Sequence, residues 1–277
     1  MPMPSARLPQ STSTSASDAD RALLREIENA AQAAAAFIRR HDELRAELTW
    51  EIKGESDFVS LVDHGAEALI LDMLAPDGHQ FTFIGEESAP DTPIGDGITY
   101  IVDPLDGTTN YLHGFPAYAV SIGALVDGEL AAAVVIDVPH NECYTAVRGG
   151  GAFRDGAPIR VSSITDPALA LIATGMPFRK AEQIARYLEQ LPKVLASTSG
   201  IRRAGSAALD LAFLACGRVD AFWELRLAPW DVAAGLLLVR EAGGIVTDLE
   251  GAPSVPAQAA ICAGNPAMHA WLLATIA

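Results

Sequence analysis

Leu23, Leu24, Ile27, Ala30, Ala31, Ala34, Phe37 and Ile38 recur at helical spacing, so the chain's first ordered element is expected to be a helix with one buried face. Ser17 is its expected N-cap, with Asp18 and Asp20 in the first turn. A second helix is expected from Asp63, carrying Leu69, Ile70, Met73 and Leu74 inward until Pro76 and Gly78 stop it. The period then shortens. "QFTFIGEES" and "ITYIVDP" read as strands that end in acids. "AYAVSIGALV" and "LAAAVVIDV" flank Asp127-Gly128, a hairpin signal, and "CYTAVR" and "APIRVSS" continue the strands past a turn at Asp155-Gly156.

From about Ala168 strands and helices alternate. "ALALIATG", "VDAFWE", "GIVTDL" and "AAICAGN" read as extended. "KAEQIARYLEQLPKVLAS", "SAALDLAFLACG", "DVAAGLLLVREAGG" and "AMHAWLLATIA" read as helical. The pattern predicts an α/β protein: an α+β first half, about residues 18–165, and an α/β second half, about 166–277, layered into one unit. Residues 1–17, rich in Pro, Ser and Thr, read as a disordered tail without the apolar core of a signal peptide.

Composition narrows the partners. Of 277 residues, 35 are acidic and 19 basic, a formal net charge of −16. That disfavours a broad nucleic-acid or anionic-membrane surface, but not a small anionic substrate, because bound cations invert a local field. No apolar run reaches the roughly 18–20 residues that span a membrane. Cys143, Cys216 and Cys262 are odd in number and widely spaced, so a reducing cytoplasm is expected rather than a disulfide framework. The histidines show no zinc-type spacing.

The chemistry lies in the acids. Asp63, Glu86 with Glu87, Asp103 with Asp106, Glu224 and Asp231 all stand at strand ends or helix starts. Each alone has a plain structural reading: Asp63 as a helix cap, Glu86 and Glu87 in a solvated turn, Asp231 as an acid in a first helical turn. Asp103 and Asp106 are harder to explain that way, because two carboxylates so close repel unless a cation lies between them. Oxygen-rich, thiol-free clusters suit hard cations such as Mg²⁺. Gly107, Thr108 and Thr109 follow at once, as a turn with local caps or as a backbone anion site. The nucleotide-binding G-x-x-x-x-G-K-[ST] loop is absent, and "RGGGAFRDG" sits between extended stretches as a turn. The haloacid dehalogenase phosphatases use D-x-D-G-T; here D-x-x-D-G-T moves the second carboxylate and would not preserve that nucleophile–acid pair.

"GEES", "DPLDGTTNY" and "PWDVAAG", in this order and at this spacing, resemble the inositol monophosphatase family of Mg²⁺-dependent, lithium-sensitive phosphatases. "RRAGSAALDLAFLACGRVDAFWELRLAPWD" and "REAGGIV" are similar to its bacterial members. The resemblance runs from about Asp18 to the C-terminus and implies a single catalytic unit over 18–277 with the layered αβαβα sandwich of sugar phosphatases. It implies two or three Mg²⁺ ions. Glu86, Asp103 and the Leu105 carbonyl would hold one, Asp103, Asp106 and Asp231 a second, and Glu86 would neighbour a weaker third. Asp63 and Thr108 would orient and help deprotonate the attacking water. Lys53 falls near the family's lysine, with its spacing to Asp57 shortened. Gly107 and Thr108 would contact phosphate, Gly205, Ser206 and Ala207 would border the sugar ring, and Glu224 would bind a hydroxyl; Ser206 also reads as an N-cap. The implied substrate is a small phosphorylated polyol or sugar, first myo-inositol 1-phosphate. Alternatives are fructose 1,6-bisphosphate, histidinol phosphate and 3′-phosphoadenosine 5′-phosphate, or a regulatory role as a protein partner of the transcription machinery. The family implies a homodimer.

Overall fold

The computed structural model describes residues 16–42, 50–52, 58–75, 80–178, 181–257 and 259–277. The expected tail therefore falls almost wholly outside the described residues, as do Lys53, Asp57, Pro76 and Gly78. Helix α1 runs Asp18–His41, and the Ser17 side chain accepts the Asp20 N–H as expected. Short strands β1 (Trp50–Ile52) and β2 (Phe58–Ser60) pair antiparallel and lead into α2 (Leu61–Leu74). Helix α2 starts two residues before Asp63 and buries Val62, Ala66, Ile70 and Leu74, one stripe at four-residue steps. Met73, expected inward, lies off that stripe and is exposed.

A seven-stranded sheet follows, in sequence order: β3 (Thr82–Gly85), β4 (Ile98–Asp106), β5 (Ala119–Val126), β6 (Glu129–Asp137), β7 (Glu142–Val147), β8 (Gly151–Arg154) and β9 (Ala157–Pro158). Only β3 and β4 are parallel. The β5–β6 turn has Asp127 at φ 51° and Gly128 at φ 80°, both left-handed, as a tight hairpin of this kind requires. "APIRVSS" supplies only the two residues of β9, followed by a single further bond from Ile159 N–H to the Ala152 carbonyl at 2.9 Å. Helix α3 (Thr108–His113) interrupts the sheet after β4.

The second half forms a mixed five-stranded sheet in the order β11-β10-β12-β14-β13. Its strands are β10 (Leu171–Thr174), β11 (Gly200–Arg202), β12 (Ala221–Leu227), β13 (Ile245–Thr247) and β14 (Ala259–Gly264). Its helices are α4 (Ala181–Leu195), α5 (Ala207–Ala215), α6 (Pro229–Glu241) and α7 (Pro266–Ile276).

Side-chain alternation builds the layers. Tyr100 and Val102 of β4 pack with α1 and α2, while Ile101 between them packs with α5 and α6. In β12, Phe222 joins α5 and α6, while Trp223 joins Tyr187 of α4 and Leu272 of α7. The result is five layers: α1/α2, the seven-stranded sheet, α5/α6, the five-stranded sheet, and α4/α7. Both sheets are covered on both faces, which is why their strands read as near-continuous apolar runs. Among the described residues no helix is long and apolar enough to cross a membrane. Cys143, Cys216 and Cys262 are all free thiols.

Candidate active site

Asp103 and Asp106 are three residues apart on β4, and in a regular strand that spacing would point them to opposite faces. Against β5, Asp103 pairs with Ser121 and Asp106 with Ala119, so three steps on β4 match two on β5. The extra residue is a β-bulge at Pro104 and Leu105, where proline's missing N–H costs no ladder bond. The bulge brings the two carboxylates back to one side. Asp231, three residues into α6, joins them, and one ligand oxygen from each of the three acids lies within 4.8 Å of the others.

Each acid is aimed by a donor. Leu105 N–H donates to Asp103 Oδ1 at 3.0 Å. The Ser206 hydroxyl and Ala208 N–H donate to Asp106 Oδ2 at 2.6 and 2.8 Å. Ala228 N–H donates to Asp231 Oδ2 at 2.7 Å. Burial, then the charges of Glu86, Asp106 and Asp231, hold Asp103 well above the usual carboxylate range. Burial also pushes Asp106 up to about 6, opposed by its bonds from Ser206 and Ala208 and by the Arg203 charge. Acids arranged this way ionise together only with a cation among them, and an all-oxygen set fits a hard one.

Helix α2 serves this cluster from the other side. Its Asp63, 1% exposed, lies 2.8 Å from the Thr108 hydroxyl, which also sits 3.1 Å from the Leu105 carbonyl. One turn on, Glu67 accepts the backbone N–H groups of Glu87 and Ser88 at 2.9 and 2.8 Å, fixing the turn that carries Glu86. A Cβ at Gly85 would come within 2.5 Å of Glu67 Oε2, so glycine is required for that grip. Gly107 has φ 94°, and a Cβ there would sit 2.8 Å from the Ala117 carbonyl oxygen. The Asn110 amide donates to the carbonyls of Ala117 and Ala204 at 2.6 and 2.9 Å, tying α3 to the segment before α5.

These groups border a cleft of about 280 Å³ lined by Glu86, Asp103, Asp106, Thr108, Arg203 and Asp231, among others. A second cleft of about 190 Å³ adjoins it, sharing Asp106, Arg203, Gly205 and Asp231 and adding Ser206, Ala207, Asp210 and Glu224. Arg203 lies over the Phe178 ring, 5.0 Å from its centroid.

A family model described as the inositol monophosphatase family matches residues 20–277. The chain belongs to the inositol monophosphatase family. The chain is 44% identical over 224 residues to Nus factor SuhB of Escherichia coli strain K12, covering 81% of this chain and 84% of that protein. It is 40% identical over 255 residues to an inositol-1-monophosphatase of Mesorhizobium japonicum, covering 92% and 96%. A crystal structure of extragenic suppressor protein suhB from Bartonella henselae superposes with a TM-score of 0.87 at 42% identity, covering 92% of this chain and 98% of that one.

For a member of the inositol monophosphatase family, the expected residues fall in two adjoining clefts. Glu86, Asp103, Leu105, Asp106, Gly107, Thr108 and Asp231 line the first. Gly205 borders both, while Ser206, Ala207 and Glu224 line the second. Asp63 reaches the first through Thr108. Ser206 also caps α5, accepting from Leu209 N–H at 3.3 Å, as its N-cap reading expects. Sequence reasoning missed Glu67, Asn110, Arg203 and Asp210. Two carried a signal: Glu67 stands four residues after Asp63 and Asp210 four after Ser206, each on the same helix face as its partner.

Proposed function

We propose that this chain, with residues 18–277 acting as one catalytic unit, hydrolyses a small phosphate monoester and that myo-inositol 1-phosphate is the substrate to try first. The observation that carries this is the convergence of Asp103, Asp106 and Asp231 oxygens beside the Asp63–Thr108 pair. In this reading Glu86, Asp103, the Leu105 carbonyl, Asp106 and Asp231 hold two or three Mg²⁺ ions. Bound Mg²⁺ would neutralise phosphate charge and activate the attacking water.

The chain's own groups do the rest. The Thr108 hydroxyl donates to Asp63, which leaves its oxygen lone pairs facing the cleft to orient a water. As attack on phosphorus begins, in line with the departing alkoxide, the water's proton passes to the Thr108 oxygen and the Thr108 proton to Asp63, while the alkoxide takes a proton from solvent in the cleft. Backbone N–H groups of Gly107 and Thr108 donate to the phosphate oxygens. No side chain becomes phosphorylated. Gly205, Ser206, Ala207 and Glu224 border the carbon skeleton of the substrate.

A second reading, a regulatory protein partner of the transcription machinery, rests on relatives named Nus factor SuhB. A phosphate-release panel separates the two. It uses myo-inositol 1-phosphate, fructose 1,6-bisphosphate, histidinol phosphate and 3′-phosphoadenosine 5′-phosphate, with and without Mg²⁺. Mg²⁺-dependent release, fastest on myo-inositol 1-phosphate, is the expected result. No release from any of the four would overturn the phosphatase reading.

A further inference from the structure

Asp210 is a buried acid at the second cleft that the proposed chemistry does not use. It lies on α5 one turn beyond Ser206, the residue whose hydroxyl holds Asp106, so the two share a helix face. It is only 3% exposed, yet it lines the second cleft. Among the described residues its carboxylate accepts no hydrogen bond, and neither does that of Glu224 across the same cleft. A buried carboxylate without donors is costly, and native structures retain one where something else supplies the donors. Burial, then the Asp106 charge at Asp210 and the Asp231 charge at Glu224, holds both groups well above the usual carboxylate range; the Arg203 charge opposes this at both, without a hydrogen bond to either. Gly175 is fitted to this arrangement, because a Cβ there would overlap the Glu224 carboxylate.

We propose that Asp210 is a specificity-determining residue that, with Glu224, accepts hydrogen bonds from hydroxyl groups on the carbon skeleton of a polyol phosphate. The inference rests on the phosphatase reading and refines it. The first cleft takes the phosphate, and the adjoining acid pair selects skeletons that present donors toward it. Removing one acceptor leaves a substrate hydroxyl without its partner on the cleft wall, while a substrate without hydroxyls loses nothing.

The test compares myo-inositol 1-phosphate with p-nitrophenyl phosphate, which has no skeleton hydroxyl, at saturating Mg²⁺. For Asp210→Ala, KM for the inositol phosphate should rise roughly tenfold to a hundredfold, the size of a lost hydrogen bond to a charged group. KM for p-nitrophenyl phosphate should stay within about twofold. Asp210→Asn keeps the shape and one acceptor, so its rise on the inositol phosphate should be smaller, again with p-nitrophenyl phosphate unchanged. Equal losses on both substrates, or none on either, would overturn the inference alone. No turnover of either substrate by the unaltered chain would overturn the phosphatase reading and this inference together.

Discussion

The two adjoining clefts hold their acids differently. In the first, Asp103, Asp106 and Asp231 each accept at least one hydrogen bond from the backbone or from Ser206. In the second, Asp210 and Glu224 accept none among the described residues. Donors that aim a carboxylate fix its geometry before any ligand arrives, as a cation-binding set requires. Carboxylates without donors keep their lone pairs for the ligand. In the proposed reading, the protein finishes the reacting end itself and leaves the recognising end for the substrate to complete.

The sharpest way to break this contrast is Asp106→Asn. The amide removes a charge from the cluster and, with its oxygen kept on Ser206 and Ala208, puts an NH2 donor where a cation would be held. We expect kcat/KM to fall by more than about a hundredfold, beyond the usual cost of an outer partner; initial rates near normal would remove the first cleft from the chemistry. Next in size is Glu67→Gln. Glutamine has one acceptor oxygen for two backbone donors, so the Glu86 turn loses a tether. The Mg²⁺ concentration for half-maximal activity should rise roughly 10–100-fold with kcat at saturation kept. Calorimetric titration of the metal-free protein with Mn²⁺ should show the same weakening.

The pH dependence sharpens the contrast further. Burial raises Asp106 to about 6 in the metal-free protein and holds Asp103 above its ordinary range as well. An acid raised on folding holds its proton in the folded state to higher pH than in the unfolded chain. Its contribution is therefore full below the unfolded pKa and is lost as pH rises through the folded one. For Asp106 that amounts to about 3 kcal/mol between pH 4 and 7. A cation replaces the lost proton, so the rise in Tm caused by Mg²⁺ should be near zero at pH 4 and full above about pH 7. His269, lowered by burial, works in the opposite direction, but it contributes equally with and without Mg²⁺. A Mg²⁺ increment independent of pH would show that these acids do not hold the cation.

Much of this arrangement was legible in the sequence. The strand–helix alternation after Ala168 could be read because β12 and β14 are buried on both faces and helices α5 and α6 are apolar nearly all round. The D-x-x-D spacing identified the residues but not their meeting, because only the bulge at Pro104 and Leu105 puts a three-residue interval on one side of a strand. Strand β11 has three residues, too few to show a period, and it forms by pairing with β10. Asn110 left no trace, since its three carbonyl partners at residues 117, 204 and 205 come together only in the folded chain. Met73 misled because the helix stripe is fixed by contact with α1 and β4, not by apolar character alone.

The smallest effect tests the second cleft without touching an acid. Glu224 stands just before its own bulge in β12, where three steps to Leu227 match two on β14, and this aims its carboxylate at β10's end. Gly175 leaves the space that the carboxylate fills. Gly175→Ala adds one methyl group there, at a position with no left-handed backbone requirement, so strain arises only from the overlap with Glu224. The flexible glutamate should swing aside rather than the strand move, which misaligns one acceptor but leaves Asp210 and the first cleft as they were. KM for myo-inositol 1-phosphate should rise by about tenfold or less, the value of a single weakened hydrogen bond. With p-nitrophenyl phosphate both kcat and KM should hold, and Tm should change little. An equal loss on the two substrates would mean that the methyl group reaches the reacting end, and that the clefts are one site rather than two with separate tasks.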